Sequence, residues 1–139
     1  MGELRPFVVM GQHRPHELCL LAAGPLITLA WLLRPVSNPG LSKLPEYFII
    51  GMYVSLFVGG VIGLAGIAMR RAAVGPGLEQ GGLLIQAGGV MLSVLATILL
   101  SGFIAWTFET IFAMWATANI ARAIQIQAEL KRGRDAQLQ

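Results

Sequence analysis

The chain has 139 residues, of which 55% are hydrophobic and 12% charged; its formal net charge is +3 and it holds one cysteine. Soluble domains carry about 25% charged residues, so this composition excludes an ordinary soluble enzyme, a disordered segment and a nucleic-acid-binding module. A single cysteine excludes a disulfide framework and a cysteine-rich zinc site, and the length suits one domain. The class that remains is a small all-α integral membrane protein.

In chain order, residues 1–17 form a mixed-charge lead in which Phe7-Val8-Val9-Met10 could dip into a membrane interface. It is not expected to be a cleavable signal, because Trp31-Leu32-Leu33-Arg34-Pro35 stands where a small-residue cleavage site belongs. The first span is predicted over about 18–36, with Pro25 inside it and Arg34 able to snorkel to the headgroups. Ser37 to Pro45 are turn residues, and Glu46 suits the start of a helix. The second span, about 47–69, carries no charge and has Tyr47 and Tyr53 towards one interface. Arg70-Arg71 and a Gly/Pro turn to Gly77 follow.

Between residues 80 and 121 the only charge is Glu109. This stretch reads either as two spans, about 78–100 and 106–124, joined near Ser101-Gly102, or as one long third helix projecting into the cytoplasm. Charge bias favours four spans. Arg5, Arg14, Arg70, Arg71, Arg122, Lys131, Arg132 and Arg134 then share one side, and only Arg34 and Lys43 face the other. A three-span chain shows no such bias, and cytoplasmic flanks carry the excess of Lys and Arg. The expectation is a bundle of about four transmembrane helices in a bacterial cytoplasmic membrane, both termini cytoplasmic, with 125–139 as a basic tail that continues the helix or frays.

Small residues recur at four-residue steps: Gly51, Ser55, Gly59 and Gly63 in the second span, and Gly89, Ser93, Thr97 and Ser101 in the third. Helices in lipid associate through close packing and hydrogen bonds, which small residues permit. The stripes therefore predict helix–helix contact, either within one chain or between copies. The hydroxyls either bond back to their own helix or line a wet path in an oligomer.

Glu109 is the candidate intramembrane or interfacial ionisable group, since a carboxylate at membrane depth is costly. His13, His16 and Cys19 have helical spacing for a metal, but Pro15 and Arg14 interrupt it, and no metal site is expected. Gly59-Gly60-Val61-Ile62-Gly63 has no following Lys and is not a phosphate loop. Arg70, Arg71, Lys131, Arg132 and Arg134 read as topology anchors on anionic lipid. No nucleophilic triad, paired-carboxylate cleft or cofactor motif is visible, so neither enzymatic activity nor a cofactor is expected.

The segment Gly77-Leu78-Glu79-Gln80-Gly81-Gly82-Leu83-Leu84 opens a Gly/Ala-rich span. A second span follows, ending in Ala118-Asn119-Ile120-Ala121-Arg122-Ala123-Ile124-Gln125-Ile126-Gln127-Ala128-Glu129-Leu130-Lys131-Arg132. This arrangement resembles the small multi-spanning membrane proteins of actinobacterial phages. The resemblance implies a holin-like lysis protein or a protein that blocks superinfection. The leading expectation is a self-associating, holin-like permeabilising protein, with the bilayer and copies of itself as partners. The alternatives are a non-enzymatic accessory or exclusion protein docked on a larger membrane complex, and a small channel or transporter.

Overall fold

The computed structural model describes residues 15–34, 44–69, 74–101 and 106–137. Four helices account for nearly all of them: α1 (Pro15–Leu33), α2 (Glu46–Ala68), α3 (Gly75–Ser101) and α4 (Trp106–Gln137). Among the described residues there is no strand. Proline marks three of the four starts: Pro15 opens α1, Pro45 caps α2 and Pro76 is second in α3. A first-turn proline forgoes an N–H that has no helical partner there.

Successive helices pack on one another, α1 on α2, α2 on α3 and α3 on α4. All three pairs are antiparallel. Thr28 meets Tyr53 across α1 and α2, Gly59 meets Gly82 across α2 and α3, and Gln86 meets Asn119 across α3 and α4. The stretch from 80 to 121 is therefore two packed helices rather than one long rod. Helix α4 does run on, as a continuous helix, to Gln137. Beyond Ile126 its described side chains are exposed apart from a half-buried Gly133, so the helix extends past the bundle.

Two helices, Glu46–Ala68 and the Gly75–Leu99 part of α3, are long and apolar enough to cross a membrane, and Glu17–Leu33 is a shorter apolar helix. Outward faces carry large apolar side chains, among them Leu26, Leu32, Val54, Val61, Leu92, Leu95, Leu99 and Ile111. The interior holds Glu17, Glu79, Gln86 and Asn119. Charged residues are almost never fully buried unless paired.

Apolar packing fills the rest of the interior in two layers. Leu21, Ile67, Leu83, Ala123 and Ile126 lie towards the end where α1 and α3 begin. Met52, Tyr53, Leu56, Ala87, Val90 and Ala116 lie further along, with the Trp31 ring stacked on Tyr53 at 4.3 Å.

The first small-residue stripe packs within the chain. A Cβ on Gly59 would stand 2.7 Å from the Gly82 carbonyl oxygen, and one on Gly63 would overlap the Leu21 side chain. Gly51 takes no part, being exposed with nothing near it. The reason is geometric: four residues advance a helix by about 400°, so a four-residue stripe drifts about 40° per step. Three steps carry Gly51 off the face that holds Gly63. In the second stripe Gly89 abuts Ser55, while Ser93 and Thr97 are buried and bond back to Gly89 O and Ser93 O, each at 2.9 Å.

Arg70, Arg71, His13 and the Phe7–Met10 segment lie outside the described residues. Glu109 and Ser101 fall within helices, but their side chains lie outside the described part. Lys131, Arg132 and Arg134 are exposed on the extension of α4, and Cys19 is an exposed free thiol.

Candidate functional site

The buried polar groups gather in two connected layers. The first is ionic. Arg122 of α4 reaches Glu17 of α1 at 3.1 Å and Glu79 of α3 at 3.7 Å, while its Nη1 lies 3.4 Å from the exposed Glu129. The Glu17 and Glu79 side chains are 4% and 2% exposed, and that of Arg122 is 12% exposed, so the pairing occurs away from bulk solvent. Glu17 sits in the first turn of α1, where the macrodipole favours negative charge, and Glu79 one turn into α3. One guanidinium thus ties the N-terminal parts of α1 and α3 to the middle of α4.

The second layer lies deeper, centred on Gln86, which is fully buried. Its origin is Pro25. Proline has no N–H, so within α1 the carbonyl of Leu21 lacks its usual donor four residues on. Gln86 Nε2 supplies it, donating to Leu21 O at 3.2 Å and to Leu56 O at the same distance. Glycines make the approach: a Cβ on Gly24 would overlap Gln86 Nε2, and one on Gly60 would stand 2.7 Å from both Gln86 Nε2 and Leu21 O. Because carbonyls only accept, the amide end of Gln86 is fixed towards them and its Oε1 points away. That oxygen accepts from Asn119 Nδ2 at 3.3 Å. One glutamine thereby links α1, α2, α3 and α4. Further along, the single hydroxyl proton of Thr28 Oγ1 is shared between Gly24 O at 2.9 Å and Tyr53 O at 3.1 Å, bringing α1 against α2 again.

Leu56, Val90 and Ala116, at most 1% exposed, close the interior beyond Gln86. Glu17, Glu79, Gln86, Asn119 and Arg122 were not singled out from the sequence as site residues. Glu79 reads there as a helix start and Arg122 as one of many basic flanks. The available signal was periodicity: Glu79 and Gln86 share one face of α3 at a seven-residue spacing, with Leu83, Val90, Ser93 and Thr97 close to it. On α4, Trp115, Asn119, Arg122 and Ile126 likewise share a face.

Among the described residues, no group of three or more His, Cys, Asp and Glu side chains is placed to hold a metal ion. Comparison with protein-family models, with curated proteins and with solved structures found no match to this chain.

Proposed function

We propose that this protein is a four-span membrane bundle with both termini cytoplasmic, and that it works without enzymatic chemistry, by lateral association in the bilayer, as a holin-like permeabilising protein does. The observation that carries the reading is the outer face of α3. Gly77, Gly81 and Gly88 lie within about 40° of one another on that helix, and a Cβ on any of them would meet nothing within 4 Å. Leu84 and Leu95, both exposed, share the face. The inner stripe is used up inside the bundle, and this outer one is the surface left for a neighbouring helix. Close approach through glycine notches is how helices associate where lipid supplies no hydrophobic contrast. The filled core supports the same reading, because a leak would then run between copies and not through one. The resemblance of residues 77–84 and 118–132 to phage membrane proteins belongs with this proposal.

A second reading, an accessory or exclusion protein docked on another membrane complex, draws on α4, whose exposed extension past Ile126 offers a charged helix beyond the bundle. Induced expression in a bacterial host, followed with a membrane-potential dye and plating, separates the two. Sudden depolarisation with loss of viability supports the permeabilising reading. Normal potential and growth with confirmed insertion overturns it in favour of the docked one. Crosslinking of Gly88→Cys in a Cys19→Ser background then distinguishes homotypic from heterotypic neighbours.

A further inference from the structure

Helix α4 turns a different kind of face outwards from the other three. The outer faces of α1, α2 and α3 carry large leucine, isoleucine and valine side chains. The line pointing away from the bundle on α4 is Thr110, Met114, Thr117, Ala121, Ile124 and Ala128, all exposed. Met114 and Ile124 are 68% and 60% exposed. The bundle-facing residues are a separate set, Ala116, Asn119, Ala123 and Ile126, all buried. The outward residues follow one another by steps of four and three, the spacing of a coiled-coil seam. The seam continues past the end of the bundle, where the same steps lead to Lys131 and Asp135, both exposed.

Two observations call for a protein neighbour on this face. Only twelve residues separate Glu109 from Arg122, about 18 Å of helix against a hydrocarbon core of about 30 Å. A span too short for its bilayer is accommodated by thinning, snorkelling or association. Beyond Ile126, residues 127–136 are exposed apart from the half-buried Gly133, yet the helix runs on to Gln137. Most helical stability in proteins comes from the packing of one face, and this chain supplies no such packing there.

We infer that α4 pairs with α4 of a second copy, parallel to it, about a two-fold axis normal to the membrane. Charge selects this occupant. Copies inserted in one orientation bring each seam residue opposite itself. Lys131 then lies one seam step from the partner's Asp135, and Asp135 one step from the partner's Lys131, so both seam charges meet opposite charge. On the flanks Gln127 faces the partner's Arg132, with no like charges opposed. The pairing rests on the membrane reading proposed above and extends it. A single two-fold contact through the α3 glycines closes at two copies, whereas α3 and α4 contacts together let an assembly grow.

The full chain, with Cys19→Ser and single cysteines along α4, is oxidised in membranes of an expressing host. Ala121→Cys, Ile124→Cys and Ala128→Cys are expected to give disulfide dimers. Leu130→Cys is expected to give about tenfold less, because Leu130 is also exposed but lies about 200° round the helix from Ala128. Equal yields at 128 and 130, no dimer at any position, or a crosslink to a host protein in place of the dimer overturns the inference. Two differently tagged copies, one Lys131→Glu and the other Asp135→Lys, test the charge register when expressed together. Each variant paired with itself sets like charges across the seam, while the mixed pair sets opposite ones, so mixed dimers should outnumber matched ones. Equal numbers overturn the pairing. Dimers through α4 without depolarisation leave the pairing standing and remove permeabilisation. Dimers of Gly88→Cys without any through α4 leave the α3 contact standing and overturn the pairing.

Discussion

Pro25 and Gln86 act as a pair although 61 positions separate them in the sequence. The proline removes a donor from α1 and the glutamine restores one from α3. A double-substitution cycle tests the coupling. Gln86→Leu leaves Leu21 O without a donor and Asn119 without its acceptor, so unfolding in detergent should show a loss of about 1–3 kcal/mol. In a Pro25→Ala background, α1 supplies its own N–H to Leu21 O, and the same Gln86→Leu change should cost measurably less. Equal losses in both backgrounds would disprove the coupling. Arg122→Met removes the cation that Glu17 and Glu79 both face, and breaking a buried ion pair typically costs about 3–5 kcal/mol. Arg122→Lys should recover only part of that, because an ammonium cannot present the planar fork that reaches several carboxylates at once. Full recovery in a thermal melt would show that charge alone matters.

At the level of the helix, glycine has opposite meanings on the two sides of α3. Gly82 lets α3 touch the backbone of α2: a Cβ there would overlap Gly59 O and Gly63 N. Gly88 opens on nothing within the chain. Gly82→Val should therefore force α2 and α3 apart and lower the melting temperature sharply. Gly88→Ala should be tolerated and should gain up to about 1 kcal/mol from helix propensity. Comparable losses in both would contradict the inner and outer assignment. Gly88→Leu goes further: if the outer face seats a neighbour, this variant keeps its fold but loses crosslinked species on gels. Unchanged crosslinking would remove that face from the proposed mechanism. The four-residue stripe in α2 carries a related lesson. Its members look equivalent in the sequence, yet helical drift leaves Gly51 outside and puts Gly63 against Leu21.

Among the described residues, the outer faces of α1, α2 and α3 are largely apolar, the core between the helices is packed, and α1, α3 and α4 are pinned together by Arg122. If the proposed permeabilising function holds, such a unit assembles between copies, so depolarisation on expression should track copy density and appear abruptly above a threshold. A gradual leak proportional to expression from the outset would speak for conduction through single bundles and against assembly between them.

Composition and the placement of charge pointed to helices in close contact and favoured four over three, but left open how far the last one runs, which in the structure is to Gln137. These properties follow from local rules: runs without charge, turn residues between them, small residues at helical spacing. The tertiary structure decided which small residues are used inside the chain and which remain outside. It also decided that Glu17, Glu79 and Arg122 meet, and that Gln86 answers the carbonyl left open by Pro25. None of this could be read from neighbouring residues, because each contact joins segments brought together only by antiparallel packing. A buried polar side chain announces in the sequence that it needs a partner; the fold alone selects which one it finds.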